Sequence, residues 1–107
     1  MYYKNRGTTI SFLCSDQNNN PCEIFATYNK DNSFNGKYDV ELKLVRNVHV
    51  DGQEFKFEHI IGRQFLSGNP TNIKNNIGRV VEYGLSHGKF KNHFSQFSNE
   101  IKSSLFF

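Results

Sequence analysis

Tryptophan is absent from this chain, and methionine occurs once, proline twice and cysteine twice in 107 residues. The two cysteines, Cys14 and Cys22, flank the loop Ser15 to Pro21 and could face each other across a hairpin; two reduced, half-buried thiols are expected. They make a poor zinc site, because His49 and His59 lie far off and without ligand spacing. No metal is expected, and no cofactor: the chain has no glycine-rich phosphate loop, Cys-x-x-Cys, His-Glu-x-x-His or nucleophile elbow. Apolar runs are short. None approaches the ~20 residues of a membrane span, and Met1-Tyr2-Tyr3-Lys4-Asn5-Arg6 lacks the apolar stretch of a signal peptide. The expectation is a cytoplasmic protein with reduced thiols and no membrane association.

Acidic residues thin out along the chain. Residues 1–52 hold six Lys/Arg and six Asp/Glu, whereas residues 53–107 hold seven Lys/Arg, four Glu and no Asp. The net charge of +3 therefore sits in the second half, a mild positive field that favours an acidic partner. It falls short of the dense Lys/Arg stripe of a dedicated DNA binder.

What the chain does have is phenylalanine, eleven residues of it. Each buried ring is worth roughly 1.5–3 kcal/mol, enough for a core without tryptophan. The length fits one domain, 1–107, that buries roughly two-thirds of its unfolded surface. The abundance of Asn, Lys, Phe and Ile is typical of AT-rich genes such as those of phages and acquired bacterial islands.

Four strands are expected first. Thr8 to Cys14 places Ile10 and Phe12 on one face, and Cys22 to Tyr28 places Cys22, Ile24 and Ala26 opposite Glu23, Phe25 and Thr27. The turn-rich segment Ser15 to Pro21 joins them. Asn35-Gly36 is a tight-turn signal. Beyond it Tyr38, Val40, Leu42 and Leu44 alternate with Asp39, Glu41 and Lys43, the period of a half-buried strand. Asp51-Gly52 then marks a two-residue hairpin. Its register predicts the pairs Val48–Phe55, Arg46–Phe57, Leu44–His59 and Leu42–Ile61, with a bulge near Arg46–Val48.

Two helices are expected next. Asn69 and Pro70 read as N-cap and first helical residue, with Thr71 as the alternative cap. Ile73, Ile77, Val80, Val81 and Leu85 form one side, and Gly88 suits the residue after the C-cap. Phe90, Phe94, Phe97, Ile101 and Leu105 make the second stripe, with Leu105-Phe106-Phe107 pinning its end. Gly78 and Gly84 weaken the first helix by roughly 1 kcal/mol each relative to Ala, a cost consistent with close packing. The predicted fold is α+β, a four-stranded antiparallel meander followed by two C-terminal helices on one face, in the order ββββαα. Asp39, Glu41, Lys43, Glu54, Lys56 and Glu58 would make the other face charged, unlike the aromatic platform of an RNA-binding sheet.

Seven residues are candidates for a partner-binding site. Arg46 and His59 fall on the apolar side of the hairpin, so either the sheet turns outward there or a carboxylate reaches in. Arg63 is an anion-holding candidate beside them. Lys74, Arg79, Lys89 and Lys91, with Lys102, give the helices a basic outer side. His59, Arg63, His87 and His93 are the residue types of a metal-free RNase, although no spacing groups them. The first functional expectation is a small non-enzymatic inhibitor of a partner protein with an acidic surface, of the toxin-immunity or phage-inhibitor kind. The alternatives are a nucleic-acid-binding protein using the basic helical face and a small metal-free RNase or toxin domain.

Overall fold

Residues 8–31 and 36–105 are described by the computed structural model. Four strands come first: β1 (Thr8–Ser15), β2 (Pro21–Lys30), β3 (Lys37–Val50) and β4 (Gln53–Ser67). Two helices follow, α1 (Ile73–Ser86) and α2 (Lys91–Leu105). The sheet is an antiparallel meander in the order β1-β2-β3-β4, so strands adjacent in sequence are adjacent in space. The class is α+β, and both helices cover the face that carries the even-numbered residues of β2 and β3.

That face follows from strand alternation. Ile24, Ala26, Val40, Leu42 and Leu44 are buried, and Ile73, Ile77 and Val81 of α1 and Phe97 and Ile101 of α2 complete the cluster. Phe90, Phe94 and Leu105 are only half-buried at its edge. The aromatic stripe of α2 is thus wider than the surface the sheet offers it.

The Asp51-Gly52 tip has φ of +51° and +79°, the left-handed pair that a type I′ turn needs and that favours Gly. Val48–Phe55, Arg46–Phe57 and Leu44–His59 pair as expected. The bulge lies elsewhere. Lys43 faces Ile60 while Leu42 faces Gly62, which leaves Ile61 as the extra residue. Leu42 therefore does not pair with Ile61, and the irregularity is at Leu42/Lys43, not near Arg46–Val48.

The reason is the side-chain period. Phe57 and His59 face inward, and so does Leu66, nine residues after Phe57, at a spacing that strict alternation cannot give. One inserted residue reconciles them, and Ile61 still tucks under the helices at 6% exposure. Beyond the bulge Arg63 and Phe65 turn to the outer face, opposite Glu41 and Asp39. That face is consequently less uniformly charged than its β3 pattern implies, because Leu13, Ile60 and Phe65 are exposed on it.

Helix α1 begins at Ile73, later than the Pro70 start expected, and Asn72 before it makes no side-chain bond into the helix. The capping bonds lie one turn earlier. The Asn69 side chain accepts from the Thr71 and Asn72 amides, and the Asn72 side chain accepts from the Asn69 amide. This is the reciprocal pattern of a capping box, set on a lead-in turn that Pro70 enters without losing a needed donor. At the other end the Lys89 amide donates to Gly84 and the Gly88 amide to Leu85. With Gly88 at φ +66°, this is a Schellman motif. It folds the chain back so that Lys89 and Phe90 lie beside the last turn of α1. Asn35 and Phe106-Phe107 lie outside the described residues.

Candidate anion-binding cavity

The bulge in β4 and the Schellman turn face each other across a gap. Its floor is Leu42, Gly62 and Gln64, one wall is Arg79, Val80, Tyr83 and Gly84 of α1, and Lys89 and Phe90 close the end. The strand at Arg63 completes the lining of this cavity of about 640 Å³, within the ~300–1,000 Å³ range of small-ligand sites. Gly62 is why the floor is deep. A Cβ built there would meet nothing within 4 Å, so the missing side chain is space left open.

The polar groups of the cavity are organised. Arg79 and Tyr83 are spaced i and i+4, so they share one face of the helix, and His87 follows at its C-cap. Tyr83 stacks on His87 with ring centroids 3.9 Å apart, and the Lys89 ammonium lies 5.0 Å from the Tyr83 ring centre. The ring thus contacts both an imidazole and a cation. His87 Nδ1 is itself fixed beside the Tyr83 carbonyl and the Ser86 hydroxyl. Among the described residues no carboxylate lines the cavity, and neither Arg79 nor Lys89 is ion-paired. Two uncompensated cations beside an apolar floor and two aromatic rings favour an anion carrying some apolar surface.

The other candidates are dispersed. Arg46 points inward, and a carboxylate does reach it: Asp16 lies 3.5 Å away with its side chain 4% exposed. Asp16 also accepts from the Asn18 and Asn20 amides and the Asn20 side chain. Burial pushes its carboxyl up, but those hydrogen bonds and the Arg46 charge outweigh burial and leave it below the usual aspartate range. Arg46 therefore secures the Ser15–Pro21 connection. His59 is met by Glu100 of α2 at 3.3 Å and stacks on Phe97 with centroids 5.8 Å apart. Arg63 holds Asp39 through two hydrogen bonds of 3.2 and 2.9 Å on the outer face, and these keep the Asp39 carboxyl low. Lys74 is exposed near the start of α1, and Lys91 borders a smaller depression with Gln17 and Phe94.

Of the RNase set, only His59 and His93 come together, with ring centroids 5.7 Å apart. His93 Nδ1 is enclosed without a hydrogen-bond partner. Among the described residues no three His, Cys, Asp or Glu are placed to hold a metal ion, and no helix is long and apolar enough to cross a membrane.

The sequence reading missed Gly62, Tyr83 and Phe90 as site residues. An isolated glycine inside a strand pattern is itself a bulge signal, and the i, i+4 spacing from Arg79 to Tyr83 was legible. Phe90 packs against the core as its stripe spacing predicts, and it also lines the cavity, which that spacing does not reveal. Comparison with known proteins finds no matching family model, curated protein or solved structure.

Proposed function

We propose that the protein is a non-enzymatic binding protein that takes an acidic group of a partner protein into the cavity between β4 and α1. One observation carries this reading: Arg79 and Lys89 flank an open, partly apolar cavity that, among the described residues, holds no carboxylate of its own. A partner's Asp, Glu or terminal carboxylate would supply the missing charge, and the Tyr83 and Phe90 rings would cover its apolar stem. Aromatic and arginine side chains beside a pocket are the types on which interface energy concentrates. A small inhibitor, of the toxin-immunity or phage-inhibitor kind, is the functional class that suits such a molecule.

The alternatives have less support. The outer-face cations Lys43, Lys56 and Arg63 are all matched by Glu58 or Asp39, which leaves little charge for phosphates beside Phe25 and Phe65. On the helical side Lys74 does not line the cavity that Arg79 and Lys89 share, and seven Lys/Arg in residues 53–107 fall short of a dense basic stripe. For an RNase, His59 is engaged by Glu100 and Phe97, and neither it nor His93 lines the cavity.

Affinity capture from host lysate, with and without nuclease, tests the reading when wild type is run beside Arg79→Glu/Lys89→Glu and Gly62→Leu. A protein should be retained that survives nuclease treatment and is lost with both variants, one reversing the charge and the other filling the floor. Retention by both variants, or loss on nuclease treatment alone, contradicts the proposal. RNA cleavage by the purified protein in chelator, abolished by His59→Ala, would favour the enzyme instead.

A further inference from the structure

The two cysteines occupy one register position. Cys14 and Cys22 are direct partners across β1 and β2, and their sulfurs are 3.2 Å apart. Directly opposed residues of an antiparallel pair have Cα atoms roughly 4.5–5.5 Å apart, inside the ~4.4–6.8 Å range that a disulfide spans. Closing the bond to about 2.05 Å asks the sulfurs to approach by about 1 Å, within the reach of side-chain rotation. The backbone can stay where it is. Beyond Cys14–Cys22 only the Ser15–Pro21 pair separates this position from the loop that Asp16 organises.

The two sulfurs are not equivalent. Cys14 is half-buried and Cys22 is 7% exposed, so a reagent in solution meets Cys14 first. The hydrogen bond from the Cys22 thiol favours a Cys14 thiolate and lowers the Cys14 pKa, while the same bond and burial push the Cys22 thiol up. Exposure and hydrogen bonding therefore agree on which sulfur attacks and which resolves.

We propose that Cys14 and Cys22 are a redox modification site that low-molecular-weight disulfides close reversibly, stapling β1 to β2. The Cys14 thiolate attacks one sulfur of the small disulfide RSSR, forming a mixed disulfide and releasing one thiolate RS⁻. Cys22 then gives up its proton and attacks Cys14 Sγ, which forms the Cys14–Cys22 bond and expels the second RS⁻. With the two protein protons taken up by the leaving thiolates, one dithiol and one RSSR become one protein disulfide and two RSH. The protein is oxidised by two electrons and RSSR is reduced by two. The second step is fast because its partners are already in contact. Excess small thiol reverses both.

The test exposes reduced, folded, full-length protein to oxidised glutathione, traps it with acid and reads mass and free thiols. Wild type should lose both thiols, fall in mass by two hydrogens, form no intermolecular cross-link and gain roughly 5–15 °C in Tm from closing a short loop. Reduced glutathione should restore the starting mass and Tm. Cys22→Ser should stop at a single glutathione adduct on Cys14, and the wild-type measurements stand by themselves if that variant does not fold. Two unreacted thiols in the folded protein, an adduct on wild type that never resolves, or cross-linked dimers would each overturn the proposal.

Discussion

Asp16 shows how one side chain organises a loop. It is buried, it accepts three hydrogen bonds from Asn18 and Asn20, and it faces the largely buried Arg46 guanidinium. Truncating one member of such a set leaves the other charge without its partner. Asp16→Ala should cost about 2–3 kcal/mol in chemical denaturation. The carboxyl's pKa is lower folded than unfolded, so the unfolded chain binds its proton first as pH falls. The stabilisation is complete above the ordinary aspartate range, about pH 4, and is lost on acidification through the lower folded value. Denaturation midpoints measured from pH 6 to pH 2 should fall in wild type and fall less in Asp16→Ala. Equal acid sensitivity of the two would show that Asp16 does not carry this contribution. The sequence placed Arg46 on the apolar side and left two outcomes open, a sheet that turns outward there or a carboxylate that reaches in; the second holds. It did not identify Asp16, because a loop position gives no periodicity from which a side-chain direction can be read.

The elements were legible wherever a short-range rule governs them. The type I′ tip at Asp51-Gly52, the alternation of β3 and the C-terminal glycine of α1 each depend on a few adjacent residues. Asn69 caps as its residue type suggests, accepting from the Thr71 and Asn72 amides, although the regular helix starts only at Ile73. The bulge was displaced because it is settled by distant partners, the helices that cover Ile61. The helix glycines separate local propensity from packing. Both lie within α1, where Ala is favoured by roughly 1 kcal/mol. A Cβ at Gly78 would sit 3.8 Å from Phe12, an ordinary contact, whereas one at Gly84 would lie 2.5 Å from the Phe90 ring. Gly78→Ala should therefore raise Tm by about 3–6 °C. Gly84→Ala should lower it, because overpacking against an aromatic ring outweighs the propensity gain. Thermal melts of the two variants in parallel check this, and a rise in both would mean that Phe90 does not rest on Gly84.

At the scale of the molecule the protein is a thin plate, 48 × 39 × 18 Å. The 14 residues of β3, at about 3.4 Å each, account for the long dimension. Its radius of gyration of 15.5 Å exceeds the ~13 Å usual at this size, as a two-layer plate should. Two helices cannot cover so long a sheet, so Val48, Phe55 and Phe57 near the hairpin tip remain half-buried. The cavity arises on the other side of the same mismatch, where α1 crosses a strand locally lacking a side chain at Gly62. Its existence was not legible in the sequence, since it depends on how far apart two elements stand. Its charge was legible, because Arg79 and Lys89 belong to the basic second half of the chain.

The most direct measurement is an amide NMR titration of the purified protein with a capped tetraglutamate peptide at low salt. Shifts should concentrate at Gly62, Val80, Gly84 and Lys89, weaken as salt screens the charges, and vanish in Arg79→Ala/Lys89→Ala. Shifts centred on Lys43 and Lys56 of the outer face, or the same shifts in the double variant, would contradict an acidic-group site between β4 and α1.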